Sequence, residues 1–151
     1  MKASFYLSIA TLCACFFTAC ASRPVYHDVK ASLTPQPGKG LVLVYFKSGF
    51  VGGAAKWHLY NGDQLLTDIM KRGAFYSYQA NPGDLRFTTT QNVTYVNVLP
   101  SLLGLIPRDQ KPIHIDPNQT YYVNFHFGDI KPVSNEEGEK DIQDCEWINH
   151  P

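Results

Sequence analysis

One continuous apolar run, Leu41-Val42-Leu43-Val44-Tyr45-Phe46, constrains this chain more than any other segment. Unbroken and rich in β-branched residues, it reads as a strand buried on both faces or central in a sheet. Segments C-terminal to it share this β character. Trp57-His58-Leu59-Tyr60 and Gln64 to Ile69 flank Asn61-Gly62, a hairpin signal because both residues accept positive φ. Phe75-Tyr76-Ser77-Tyr78 runs into Asn81-Pro82-Gly83-Asp84, a tetrad suited to a tight turn. Leu85-Arg86-Phe87-Thr88-Thr89-Thr90 alternates, which puts Leu85 and Phe87 on the core face. Val93 to Val98 reads as another strand. Ile113-His114-Ile115 and Tyr121 to Phe127 read as a last hairpin across Asp116-Pro117-Asn118-Gln119-Thr120. Pairing Ile113 with Val123 would set its register and bring His114 opposite Tyr122. About seven short strands between Gly/Pro/Asn turns predict an all-β fold, an antiparallel β-sandwich of immunoglobulin-like or transthyretin-like type.

The N-terminus constrains location. Lys2 precedes an apolar run from Ala3 to Ala19 that ends in Phe17-Thr18-Ala19-Cys20. The run falls short of the roughly 20 apolar residues a spanning helix needs and is interrupted by Ser4, Ser8, Thr11 and Thr18. It reads as a cleaved signal, to be set aside in fold reasoning. In the lipoprotein version Cys20 is acylated and becomes the first mature residue. A second match, Leu12-Cys13-Ala14-Cys15, has a shorter apolar stretch, and ordinary cleavage after Ala21 would instead release a secreted protein. Acylation at Cys20 would anchor the chain through chains contributing about 0.8 kcal/mol per buried CH₂. Similar lipoproteins are retained at the inner membrane by Asp after the cysteine. Here Ala21 stands there, so the resemblance implies the outer membrane, facing the periplasm.

The expected organisation is a signal over 1–19, a lipid-anchored linker over 20–36, a β-sandwich over 37–128 and an acidic tail over 129–151. Pro24, Pro35 and Pro37 make the segment after the anchor read as an extended stalk. Glu136, Glu137, Glu139, Asp141, Asp144 and Glu146 make the last segment acidic and mobile, with Trp147 and Ile148 able to dock it back. A mature chain of about 130 residues suits one domain and needs no metal or disulfide staple. The 13 basic and 13 acidic residues balance without a basic stripe, which argues against nucleic acid as a partner.

The order Pro37-Gly38-Lys39-Gly40, Leu41 to Phe46, Phe50-Val51-Gly52-Gly53, Tyr60-Asn61-Gly62-Asp63, Asn81-Pro82-Gly83-Asp84 and Asn118-Gln119-Thr120-Tyr121-Tyr122-Val123 resembles a family of small bacterial envelope lipoproteins, a domain of unknown function. The resemblance runs from Pro37 to Phe127. It departs at Gln91 to Gln110, which is longer than the family's usual link. It implies a β-sandwich on a lipid anchor and lends no catalytic residues.

Residue chemistry yields no catalytic, cofactor or metal site. On a Tyr121–Phe127 strand, His126 lies about 13 Å from the position of His114, too far for one zinc ion. His58 could join either only across the sheet, so surface histidines are the plainer reading. Ser48, Ser77 and Ser101 lack a Gly-x-Ser-x-Gly elbow. Ser48-Gly49-Phe50-Val51-Gly52-Gly53 lacks the lysine and the helix of a phosphate loop, and Asp63 and Asp68 read as turn and edge residues. Cys145 stands among Asp141, Asp144 and Glu146, which oppose a thiolate. The unusual segment is Leu99-Pro100-Ser101-Leu102-Leu103-Gly104-Leu105-Ile106-Pro107. Its Leu99, Leu102, Leu103, Leu105 and Ile106 either close one end of the core or form a patch for lipid or a partner protein. The expected function is a non-catalytic, lipid-anchored binding or assembly module with an envelope protein as partner. The alternatives are an envelope hydrolase using His58, His114 and His126, and a small-ligand carrier with a cavity lined by Tyr76, Tyr78, Tyr121 and Phe125.

Overall fold

The computed structural model describes residues 23–48, 56–92, 108–126 and 128–149. The chain is mostly β, in several sheets that do not close into a barrel among the described residues. The apolar run forms β1 (Gly40–Phe46), buried along its whole length. It is the centre of a five-stranded sheet with β4 (Ala74–Ala80), β9 (Thr120–His126), β10 (Asp129–Val133) and β11 (Glu146–Trp147), in the order β10-β9-β1-β4-β11. A second sheet holds β2 (Lys56–Asn61), β3 (Gln64–Met70), β6 (Phe87–Asn92) and β7 (Arg108–Asp109), in the order β3-β2-β6-β7. Between them, β5 (Gly83–Leu85) pairs with β8 (Ile113–Ile115).

Alternate residues of β1 face two separate cores. Val42, Val44 and Phe46 meet Trp57, Leu59, Met70 and Phe87 of the second sheet, together with Val123 and Phe125. Leu41, Leu43 and Tyr45 face the other way, onto Tyr26, Phe75, Tyr122, Ile142 and Cys145. The strand therefore has one sheet on one side and a layer built from both ends of the described chain on the other.

That layer replaces two expectations. Residues 23–36 are not a stalk: Val25 bridges Glu146, and α1 (Tyr26–Val29) continues into a 3-10 turn over Lys30–Ser32. Tyr26 is 2% exposed, its hydroxyl 2.8 Å from that of Tyr122 and its ring edge-on to Phe75. Proline content pointed to an extended linker, but a buried aromatic ring contributes about 2–3 kcal/mol and outweighs the local preference.

Nor is 129–149 a mobile tail. β10 pairs with β9, and α2 (Asn135–Ile142) packs on the first sheet. Glu136 and Glu137 fall in the first turn of this helix, where their charge suits the dipole. Ser134 caps it, its Oγ accepting from the Glu137 N–H at 3.2 Å. Gly138 lets α2 approach the sheet, since a Cβ there would lie 2.1 Å from Cβ of Tyr122. Trp147 and Ile148 dock as expected, Trp147 stacking on Phe75 at 5.9 Å and Ile148 packing on the inter-sheet core.

Four further details differ. The first sheet is mixed, not antiparallel, because β9 and β11 run parallel to β1 and β4. The loop of the β2–β3 hairpin is Gly62-Asp63, one residue later than expected: Asn61 pairs with Gln64, and Gly62 alone takes positive φ, 56°. The Ile113–Val123 pairing does not form. β8 pairs with β5 and β9 with β1, so Asp116–Gln119 arches between sheets, with Asn118 at φ 60°. Tyr121 clips this arch, its hydroxyl accepting from the Asp116 N–H at 2.8 Å and donating to Asp116 Oδ2 at 3.1 Å. Leu85 and Phe87 are buried as expected, but the strand carrying them breaks at Arg86 and passes from one sheet to the next. The strand expected over Val93–Val98 lies outside the described residues.

The buried N-terminal segment is directly testable. Tyr26→Ala should lower unfolding free energy by about 3 kcal/mol in denaturant titration, as a large core aromatic does. A residue in a solvated stalk would cost less than about 0.5 kcal/mol.

Candidate functional site

The three histidines of the β region lie on β2, β8 and β9, in three different sheets. His58 is half-buried, its Nδ1 3.3 Å from the Tyr60 hydroxyl. His126 is exposed, with its ring edge-on to Phe46 at 6.5 Å. His114 sits opposite Asp84, as β5–β8 pairing requires, rather than opposite Tyr122. No group of three His, Cys, Asp or Glu able to hold a metal ion occurs among the described residues.

His114 has the most organised polar surroundings. Its Nδ1 lies 2.9 Å from Asp84 Oδ1 and its Nε2 3.9 Å from Asp116 Oδ1. Asp116 is itself held by Tyr121. The hydrogen bond to Asp84 raises the imidazole's pKa above the ordinary histidine value; slight desolvation opposes this, and the charges of Asp116 and Asp84 add to it. A ring with a carboxylate on each side is favoured as imidazolium, which has no lone pair to take a proton. It also stands in the open, with His114 and Asp84 side chains 69% and 70% exposed. The cluster favours the protonated ring and ties β5, β8 and the arch together; it stands in the open rather than in a cleft.

The other candidates have structural partners. Cys145 is fully buried, its Sγ 3.8 Å from the Phe46 carbonyl. Burial above all, with Asp144 and Asp141 adding, pushes its thiol up to about 12, so it stays protonated. The sequence named those acids as the cause; desolvation is the larger one. Ser77 is held by its neighbours: Trp147 Nε1 donates to its Oγ at 3.0 Å, and its own N–H donates to Asn149 Oδ1 at 2.9 Å. Asp63 is exposed in the β2–β3 turn and Asp68 on β3, which forms one edge of the second sheet. Phe125 is fully buried, while Tyr76, Tyr78 and Tyr121 pack against the inter-sheet core. Asn61 Nδ2 donates to the Tyr78 hydroxyl at 3.0 Å.

Among the described residues, open depressions lie on the second sheet and along α2. One, of about 230 Å³, is lined by Tyr60, Gly62, Asp63, Thr88 and Thr90 on the second sheet. The other, of about 470 Å³, runs along α2 beside Glu136, Glu139, Lys140 and Gln143. Ion pairs fasten the helical layer: Lys30 with Glu139, Lys47 with Asp141 at 2.6 Å, and Lys71 with Glu146 at 3.1 Å. The exposed Lys30–Glu139 and Lys71–Glu146 pairs add little stability each and act mainly to fix position, whereas the Asp141 side chain is largely buried.

Cys20 and the apolar set Leu99, Leu102, Leu103, Leu105 and Ile106 lie outside the described residues, as do Ser101 and most of Ser48–Gly53. Sequence reasoning missed Tyr26 and α2. The signal for α2 was present in Ser134-Asn135-Glu136-Glu137, a capping box; a single tyrosine between prolines gave no comparable sign for the first. The chain matches no family model, no curated protein and no solved structure.

The His114 cluster makes a signed prediction. Its midpoint in an NMR pH titration should lie above the ordinary value near 6.5, and Asp84→Asn should bring it down. The folded pKa is raised, so the stabilisation is complete below the unfolded value and fades as pH climbs through the folded one. An unmoved midpoint in Asp84→Asn would show that the pair does not form in solution.

Proposed function

We propose that this chain is a non-catalytic, lipid-anchored binding or assembly module of the bacterial envelope, built on a β-sandwich of immunoglobulin-like or transthyretin-like type. The observation that carries the reading is the burial of β1 on both faces. The apolar interior is committed to packing on either side of that strand, which leaves the exterior to do the work. A carrier would need room between the sheets, where Phe46, Trp57 and Phe125 instead meet edge to face, with ring centroids 5.0 and 5.5 Å apart. A histidine hydrolase would need convergence that the separate strands of His58, His114 and His126 do not provide.

The anchor rests on residues 1–20, and the outer-membrane, periplasm-facing location rests on Ala21. The likeness to small envelope lipoproteins of unknown function belongs to the same proposal. Among the described residues, no helix is long and apolar enough to cross a membrane. The partner is the membrane itself through Cys20, together with an envelope protein met by Leu99, Leu102, Leu103, Leu105 and Ile106. Asn92, the last described residue before that segment, pairs with Lys56 at the end of the second sheet where β3 passes into β4.

Two experiments test the reading. Metabolic labelling with a palmitate analogue should mark the wild type and be lost in Cys20→Ser. Replacing Leu102, Leu103 and Leu105 by Ser should reduce crosslinked envelope partners in intact cells while shifting stability by less than about 0.5 kcal/mol per site. A collapse in stability would identify these leucines as core and remove them from the contact surface.

A further inference from the structure

The number of residues between Cys20 and the first fixed point of the fold limits how the body can sit at a membrane. Val25 already bridges Glu146. The backbone is fastened on both sides of it: the Trp147 N–H donates to the Pro24 carbonyl at 2.8 Å, and the Tyr26 N–H to the Cys145 carbonyl at 2.9 Å. An extended chain spans at most about 3.6 Å per residue, so Cys20 lies within about 18 Å of Val25.

The strand registers identify the end of the body where this occurs. Val25 meets Glu146, Glu146 pairs with Ala74, and Ala74 pairs with Phe46. At that end Lys71–Gly73 crosses between sheets, the Gly73 N–H donating to the Phe46 carbonyl at 2.8 Å and the Arg72 guanidinium lying 5.2 Å from the Phe46 ring centre. Gly40 and Ala80 mark the opposite end of the first sheet, and the Gly62-Asp63 turn the opposite end of the second. From Gly40 to Phe46, β1 alone is about 20 Å long at about 3.3 Å per residue. An inverted body would raise Val25 at least that far above the headgroups, beyond the tether's reach.

We propose that the end formed by Phe46–Ser48, Lys71–Gly73 and Gln143–Trp147 faces the lipid headgroups, and that the Gly62-Asp63 end points away. This rests on acylation of Cys20. Lys47 and Lys71 at this end are paired with Asp141 and Glu146, and Lys56 and Arg72 add positive charge to an orientation that the short tether sets. The depression beside Tyr60, Thr88 and Thr90 belongs to the strands that lead to the distal turn, so a partner reaching it would come from the side away from the membrane.

The test uses the full acylated chain in phosphatidylethanolamine and phosphatidylglycerol vesicles containing nitroxide-headgroup lipid, which quenches a dye only at short range. A dye is placed at Lys71→Cys or Asp63→Cys, at the two ends of β3. Cys145 is buried and protonated, so the introduced thiol takes the label. Unchanged melting temperatures confirm that both variants fold. Quenching is expected at position 71 and lost at 63, and a long Gly/Ser linker between Ser22 and Arg23 should erase the difference. Equal quenching at both positions, or stronger quenching at 63, in protein that floats with the vesicles would overturn the orientation alone. Protein that does not float would overturn the anchor, and the orientation with it.

Discussion

Everything in this structure depends on covering β1. A strand with apolar side chains on both faces is stable only between two layers, and each layer here is recruited from a different part of the chain. The second sheet closes one face with Trp57, Leu59, Met70 and Phe87. The other face is closed by Tyr26 from before the strand and Ile142 and Cys145 from far after it. At roughly 25 cal/mol per Å² of apolar surface, neither face could be left to solvent without a cost comparable to the whole stability of a small domain.

The same requirement explains the mixed sheet. An antiparallel meander would give β1 neighbours from adjacent hairpins only. Placing β9 parallel to it brings Tyr122 and Val123 beside Leu43 and Val44, one for each core. β9 then cannot hairpin with β8, so the Asp116–Gln119 connection becomes an arch that needs a clip, which Tyr121 provides. The exposed His114 cluster is a by-product of that geometry: it lies where β5 and β8 pair because β8 was freed from β9.

Strand positions were legible wherever a strand's own side chains carried the pattern. β1, the β2–β3 hairpin, β4 and the burial of Leu85 and Phe87 could be read directly, and the upward shift of the Cys145 thiol was legible in its direction from Asp141 and Asp144, though not in its main cause, burial. Partner choice was not legible, because Ile113-His114-Ile115 presents the same alternation to β5 as to β9, and only the demand of β1 decides between them. The helical layer was hidden for a different reason. Glu136, Glu137 and Glu139 lie on its solvent side, so its composition describes water contact while its stability comes from Ile142 and the space opened by Gly138. Proline near Tyr26 misled in the same way, describing local backbone preference where a long-range contact governs.

The bridge between Val25 and Glu146 also bears on how the chain acquires its shape. These residues are joined in space yet lie at opposite sides of almost all the described sequence. Loop-closure entropy makes such a contact late and slow to form. A chain delivered N-terminus first would hold Tyr26 unsatisfied until Cys145 and Trp147 had emerged, whatever the sheets had done meanwhile. Folding is thereby coupled to completion of the chain, and a truncated or stalled chain would leave the apolar face of β1 that Tyr26, Ile142 and Cys145 cover open to solvent.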